Sequence, residues 1–144
     1  MEDRDTIKLL KECDAGSKMA VSSLDDVMDK VENENLQKLL DETKDHHAKL
    51  GNEIHSLLIE YGCEEKDPHP MAKSMSKMKT GIMLTMKDTD ETIADLMTDG
   101  CNMGVKSLSK YLNKYAAADE RSKDICKRLI KLEDKLASDI RLFL

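Results

Sequence analysis

The stretch ENLQKLLDETKDHHAKLGNEIHSLLIEY, residues 34–61, repeats mostly apolar residues at steps of three and four. That spacing marks one face of an α-helix. The face consists of Leu36, Leu40, Thr43, His47, Leu50, Ile54, Leu57 and Tyr61. Gly62 follows directly, at the position where glycine commonly ends a helix. Residues 34–61 therefore predict an amphipathic helix, about 40 Å long, that buries one stripe.

Three further stretches of similar length have the same periodicity. The first spans about 4–31, and the Glu-Asn-Glu-Asn sequence at 32–35 predicts a turn. Because this turn is short, helices one and two form an antiparallel hairpin. The other two predicted helices span 89–115 and 118–143. Four helices of matched length predict an all-α four-helix bundle, in one domain, with the left-handed twist of such bundles.

Residues 62–88 form a long connection between helices two and three. The segment contains both prolines of the chain and a Met-rich run. The run places Met71, Met75, Met78, Ile82 and Met86 on one helical face. Asp88, with Glu91 three positions on, predicts a fresh helix start there. A crossover of this length lets helix three run parallel to helix two. Plain up-down-up-down topology with a longer, kinked third helix is the alternative.

Glycines inside the predicted helices suggest close approach of backbones. Gly16 and Gly51 fall at almost the same level of the first hairpin, so we expect them to face each other. Gly100 and Gly104 lie on the predicted inward face of helix three and suggest close packing of its backbone as well.

Composition excludes several classes of function. A formal charge of −6 argues against nucleic-acid binding, which needs a basic surface. No apolar run approaches the roughly 18 residues of a membrane span, and no basic-then-apolar leader opens the chain. The four cysteines are far apart in the sequence and predict reduced thiols. Together these features predict a bacterial-type cytoplasmic protein.

Four segments resemble the ferritin-like superfamily, most of all its small uncharacterised bacterial four-helix domains. They are ECDAGSKMA in helix one, DHHAKLGNEIHSLL with the following EYG in helix two, DLMTDGCNMG in helix three and KLEDKLASDI in helix four. The resemblance covers about residues 5–142. It implies a ferritin-like bundle. In di-iron members two helices each supply one acid, and the other two each supply a Glu-x-x-His pair.

Transferred to this sequence, the resemblance implies only part of that metal site. The positions it suggests are Asp14, His47, Asp99 and Glu133. Lys44 stands where the pattern requires a glutamate before His47, and Leu136 stands where it requires a histidine after Glu133. One reading is a mononuclear site for an iron, manganese or zinc ion at His47, Asp99 and Glu133. The preferred reading has Lys44 paired with one of these acids, in the electrostatic role that a metal has in relatives.

The Met-rich run predicts a role in packing or in binding a protein partner. Its lysines suggest an anionic membrane surface and its thioethers suggest Cu(I), but packing along the bundle is the favoured reading. If it docks loosely, Met75, Met78 and Met86 form an interaction face, and the ends near Tyr111 and Tyr115 are another candidate. We therefore expect a homo-oligomeric structural or protein-interaction role without a cofactor. The alternative is a metal-binding protein or oxidoreductase.

Overall fold

A computed structural model describes residues 2–63 and 89–144 of the chain. Within these two ranges the backbone is helical apart from short turns, and it contains no β-strand. The elements are α1, Glu2–Met28; α2, Glu34–Glu60; α3, Thr89–Lys114; α4, Glu120–Asp139; and a terminal 3-10 helix, Ile140–Phe143. The predicted all-α four-helix class is confirmed.

Most of the predicted connection at 62–88 lies outside the described residues. The predicted helix start at Asp88 and the face formed by Met75, Met78 and Met86 both fall there. These features stay predictions from the sequence.

Local capping residues determine where α2 begins and ends. The Asn33 side-chain oxygen accepts hydrogen bonds from the backbone N–H groups of Asn35 and Leu36, at 2.8 and 3.1 Å. At the other end Gly62 has a φ of +72°, the left-handed conformation that favours glycine. The N–H of Cys63 then donates to the Leu58 carbonyl, which closes the helix end. The predicted turn and the predicted glycine cap are therefore both present.

Hydrogen bonds between chain segments reveal the direction of α3. The backbone N–H groups of Glu32 and Asn33, in the turn between α1 and α2, both donate to the carboxylate of Asp90 at 2.9 Å. Because Asp90 lies at the start of α3, that helix begins at the same end of the bundle as α2 and runs parallel to it. This is the direction that a long connection between α2 and α3 predicts. The up-down-up-down alternative is wrong.

The opposite end of the bundle is held by Asp119, which precedes α4. Its N–H donates to the Thr6 hydroxyl at 2.8 Å, and its carboxylate accepts a hydrogen bond from the Tyr61 phenol at 2.5 Å. The start of α1, the end of α2 and the start of α4 therefore meet here. It follows that α4 runs parallel to α1 and antiparallel to α3.

Two apolar clusters fill the core, one toward each end of the bundle. The far-end cluster, near Asp119, contains Leu9, Leu10, Cys13, Leu50, Ile54, Leu57, Leu58, Leu108, Ala118, Ile125, Cys126 and Leu129. The turn-end cluster, near Asn33, contains Leu24, Val27, Leu36, Leu40, Ile93, Ala94, Cys101, Leu136, Ala137 and Ile140. Burying each of the larger side chains contributes about 1.5–3 kcal/mol, so these clusters supply most of the stabilisation.

A layer of buried polar side chains separates the two clusters along each helix that contributes to it. Its members are Asp14 and Ser17 on α1, Thr43 and His47 on α2, and Glu133 on α4. Gly104 lies between the clusters on α3. The sequence positions that best matched a metal-binding pattern thus lie at mid-height in the bundle.

The expected contact between Gly16 and Gly51 is wrong. A Cβ on Gly51 would lie 3.1 Å from the Ser17 hydroxyl, whereas one on Gly16 would point to Leu108 and Leu129 at 3.8–4.0 Å. The close approach of α1 and α2 therefore occurs one residue beyond the predicted position on α1. Glycines contribute no apolar area to reveal which face of a helix they occupy, so spacing alone misplaced Gly16.

Candidate functional site

The centre of the polar layer is a buried pair, His47 and Glu133. They are 1% and 8% exposed, and they come from α2 and α4. The His47 Nδ1 atom lies 2.9 Å from the backbone carbonyl oxygen of Thr43, one turn earlier on the same helix. The Nε2 atom lies 3.2 Å from Oε1 of Glu133. Both ring nitrogens therefore have protein partners.

The two contacts determine how many protons the pair holds. A carbonyl oxygen can only accept, so Nδ1 must carry a hydrogen. The contact between Nε2 and Oε1 then also requires a proton, on either the imidazole or the carboxyl group. In both cases the pair as a whole is neutral, and this is how a buried layer tolerates two ionisable groups.

The surroundings of His47 favour its charged form. Burial lowers the pKa of the imidazole, but the hydrogen bond and negative charge of Glu133 and the Thr43 carbonyl together raise it above the usual 6.5. The net direction of the His47 pKa shift is upward.

Two residues of α3, Cys101 and Gly104, lie beside the Glu133 carboxyl group. Burial and the nearby negative charge of Glu133 raise the pKa of the Cys101 thiol. Cys101 therefore stays protonated beside the carboxyl group. A Cβ on Gly104 would lie only 3.3 Å from the Glu133 carboxyl carbon. Because Gly104 has no Cβ, the buried Glu133 carboxyl group fits in the space beside it.

Substitutions at the two glycines of α3 test this account. Gly100→Ala is expected to raise the free energy of unfolding by about 1 kcal/mol, because alanine favours the helix and its Cβ meets no atom within 4 Å. Gly104→Ala is expected to lose that gain, because the new methyl group displaces Glu133 from His47. Urea denaturation of the two variants measures the difference. Equal stabilisation by both would contradict a close contact at Gly104.

Asp14, the α1 position in the predicted metal site, forms its ion pair within its own helix. Its Oδ2 atom lies 3.2 Å from the Lys18 ammonium, and its backbone carbonyl accepts a hydrogen bond from Ser17 at 3.1 Å. The carboxylate is nearly fully buried, so its charge needs this neighbour. Lys18 is a partner that the sequence analysis missed, although its spacing of four residues from Asp14 is a readable signal.

Asp99 is exposed, and this part of the predicted metal site is wrong. The inward face of α3 contains Cys101, two residues later. Two residues along a helix differ in direction by about 200°, so Asp99 points away from the core. The glycine pattern had placed Gly100 on the inward face, and Gly100 is exposed as well.

Lys44 also departs from its predicted role. Its ammonium pairs with Asp25 of α1, and its side chain is 35% exposed. The hydrogen bond and charge of Asp25 raise the pKa of Lys44. A long lysine stem reaches the surface at little cost, whereas a buried ammonium loses its hydration. The prediction that Lys44 balances a core acid is therefore wrong.

The donor set does not fit the di-iron centre that the family resemblance implies. Among residues 2–63 and 89–144, no group of three or more histidine, cysteine, aspartate or glutamate side chains is placed to hold a metal ion. Two of the predicted ligands, His47 and Glu133, do meet, but catalytic metal sites usually have three protein ligands. The inner layer thus provides a proton-sharing pair beside a buried thiol.

Two interactions at this centre escaped the sequence analysis, namely those of Cys101 and Gly104 with Glu133. A signal for the first was present. Cys101 continues the spacing of Ile93 and Met97 by four residues and precedes Leu108 by seven, as expected for an inward position.

No helix in the described part of the chain is both long and apolar enough to cross a membrane.

Comparison with known proteins places most of this structure in a family. The model of a family described as "Domain of unknown function (DUF2383)" matches residues 5–114. The match includes His47 and Cys101 and ends before α4, which carries Glu133. Neither the curated proteins nor the solved structures gave a match. Because the matched region exceeds half of the sequence, the chain belongs to the DUF2383 family.

Proposed function

We propose that this protein is a ferritin-like bundle with a structural or protein-interaction role, in which a neutral polar layer replaces the di-iron centre of relatives. The observation that carries the proposal is the double engagement of His47. Its Nδ1 atom is bound to the Thr43 carbonyl and its Nε2 atom shares a proton with Glu133. A metal ion at Nδ1 would have to displace the Thr43 carbonyl, and one at Nε2 would have to replace the proton that His47 shares with Glu133.

The neutral layer has a structural use in this proposal. A hydrogen-bonded pair between α2 and α4 is satisfied only when the two helices have one relative position along their axes. Buried polar pairs can specify such alignment in helical assemblies, at some loss of stability. Two apolar clusters alone would tolerate sliding of one helix past another more readily.

The surface offers apolar groups to a partner protein. Among the described residues, the large hydrophobic side chains that are more than half exposed are Ile59, Met103, Leu142 and Leu144. The sequence adds the face formed by Met75, Met78 and Met86, which is predicted only from the spacing of these residues. Tyr111 and Tyr115 are less available, because their stacked rings, 6.3 Å apart, pack on the far-end cluster. A homo-oligomer in the cytoplasm is the simplest assembly that these features favour.

Metal analysis and light scattering on untagged protein test the proposal together. We expect iron, manganese and zinc far below one ion per chain, and a defined mass larger than that of one chain. An unchanged melting temperature in excess metal is also expected, because a ligand that binds the native state would raise it. Near-stoichiometric metal, or a monomer at all concentrations, would contradict the proposal.

A mononuclear metal-binding protein or oxidoreductase is the second candidate. It is favoured by one observation, the convergence of His47 Nε2 and Glu133 Oε1 from two helices at 3.2 Å. An iron, manganese or zinc ion could replace the shared proton there. This candidate requires oxygen- or peroxide-dependent oxidation of added Fe(II) that is lost in His47→Ala and kept in His46→Ala. The neighbouring His46 is exposed and serves as the matched control.

A further inference from the structure

One exposed face of α3 changes from acidic to basic along the helix. Its members follow one another at steps of three and four residues, and side chains at that spacing lie on one side of a helix. All of them are exposed. In chain order this outer face of α3 consists of Glu91, Asp95, Asp99, Met103, Lys106 and Lys110.

The outer face of α3 points away from the bundle core. Lys106 and Lys110 each lie two positions from the buried Leu108, so their directions differ from that of Leu108 by about 200°. Met103 is 68% exposed. Close to it along the helix, a Cβ on Gly100 would meet no atom within 4 Å. The middle of the outer face is therefore open to a second helix.

The charges of the outer face have no partner of opposite sign within the described part of the chain. None of its acids or lysines forms an ion pair with another described residue. Exposed charges elsewhere do pair, for example Arg128 with Glu53 and Arg121 with Glu60. The acidic and basic halves of the outer face are therefore both available to another molecule.

We infer that the outer face of α3 is the interface of a homodimer, in which the α3 helices of two copies pack antiparallel to each other. The inference rests on the homo-oligomer of the proposed function and identifies its contact surface. If the two helices cross between residues 100 and 101, Asp95 of one copy lies opposite Lys106 of the other. The same crossing brings Glu91 opposite Lys110, because both pairs are centred on that point.

These ion pairs can form only between two molecules. Asp95 and Lys106 are 11 residues apart on one helix, which corresponds to about 16 Å along its axis. A lysine side chain of the same copy cannot span that distance along a straight helix. A second copy placed antiparallel supplies each half of the outer face with the opposite charge.

Charge complementarity selects both the partner and its direction. Twofold symmetry repeats each pair, so that every acid–lysine contact occurs twice in one interface. A parallel arrangement would place each lysine beside the same lysine of the second copy, and repulsion disfavours it. Exposed ion pairs contribute little affinity, whereas Met103, near the crossing, loses exposed apolar surface on contact. The charges thus determine the direction, and the apolar contact supports the affinity.

Charge reversal in the full-length protein tests the interface. The acid variant is Glu91→Lys/Asp95→Lys, and the base variant is Lys106→Glu/Lys110→Glu. We expect the wild type to have the mass of two chains by light scattering, and the dimer to weaken as NaCl is raised. Each variant alone should be monomeric, with a dissociation constant raised at least about tenfold, because like charges then face each other.

Mixing the two variants is the decisive measurement. One variant has a basic outer face and the other an acidic one, so equal amounts should form a one-to-one dimer. Circular dichroism checks that each variant keeps its helicity. If Glu91→Lys frays the start of α3, the single variants Asp95→Lys and Lys106→Glu test the central pair by the same mixing. Matched controls repeat the charge changes at exposed positions of α2 and should remain dimers: Lys38→Glu/Lys49→Glu and Asp41→Lys/Asp45→Lys.

The outcomes separate this inference from the proposed function. An oligomer that neither charge variant disturbs, or variants that stay monomeric when mixed, would overturn the interface and leave the proposed function standing. A wild-type monomer at all concentrations would overturn both. A monomer that binds phosphatidylserine vesicles through Lys106 and Lys110 would overturn the inference in favour of a lipid surface. Near-stoichiometric metal in a dimer that responds to the charge variants would support the interface and contradict only the proposed function.

Discussion

Glu133→Leu is expected to lower the free energy of unfolding by about 3 kcal/mol. The change removes the partner of His47 Nε2 and leaves a buried imidazole with one nitrogen unsatisfied. The double variant His47→Leu/Glu133→Leu replaces the whole pair by apolar groups and should be within about 1 kcal/mol of the wild type. Urea denaturation of the wild type, both single variants and the double variant measures the coupling.

Glu133→Gln is the matched control. Its amide can donate to the unprotonated Nε2 of a neutral His47, so the loss should be only about 1 kcal/mol. If the double variant His47→Leu/Glu133→Leu lost as much stability as its two single variants together, the pairing of His47 with Glu133 would be contradicted.

The same variants should differ in their response to pH. The pKa of His47 is raised above its unfolded value of 6.5, so its contribution is complete below that pH. The contribution is then lost as the pH rises through the higher pKa of the folded protein. Wild-type stability should fall over this range relative to Glu133→Gln, which lacks the charge that raises the pKa. Urea midpoints measured from about pH 5.5 to about pH 8.5 check the sign.

Asp119→Ala is expected to lower the free energy of unfolding by about 2–3 kcal/mol. The Asp119 carboxylate caps α4 by accepting a hydrogen bond from the Ser122 N–H at 2.8 Å, and it also accepts the Tyr61 hydroxyl. One substitution therefore removes a helix cap and the partner of a phenol on α2. Asp119→Asn preserves the cap and should cost clearly less. Glu120→Ala, at an exposed neighbouring position, controls for general effects of a lost charge.

A coupling energy distinguishes the two functions of Asp119. Tyr61→Phe removes only the phenol hydroxyl, so the double variant with Asp119→Ala should be more stable than the sum of the single losses predicts. Simple additivity would mean that the Tyr61 contact contributes nothing.

Acid should also weaken this end of the bundle. Burial raises the pKa of Asp119, but hydrogen bonds from Tyr61 and Ser122 and the charge of Arg121 lower it overall below 3.8. The contribution of Asp119 is therefore present above pH 3.8 and is lost as the pH falls through the lower pKa of the folded protein. Asp119→Asn should lack this acid-dependent loss.

Helix number, helix ends and most of the core of α2 were predictable because their causes are local. The seam of residues 34–61 is buried as predicted except at Tyr61, which is half-buried. Asn33 and Gly62 act through hydrogen bonds to residues within five positions. Such interactions are encoded in short spacing, so they can be read without the fold.

The candidate site was only partly predictable, because its chemistry depends on which side chains meet across helices. His47 and Glu133 were identified as inward positions, and they do lie 3.2 Å apart. Asp99 was misassigned because the glycines of α3 obscure which face points inward. The two glycine positions differ in whether Glu133 lies beside them, and no property of glycine itself could reveal this.

By itself, the sequence determined an all-α chain, its helix ends and the residue types available for the middle of the bundle. The tertiary structure alone decided that Lys44 pairs with Asp25, that Glu133 pairs with His47, and that the Cys126 thiol donates to the Leu108 carbonyl. The physical reason is the separation along the chain of the residues that interact. A helix forms through contacts between near neighbours in the chain, whereas charge pairing and thiol contact depend on the rotation and axial position of one helix against another.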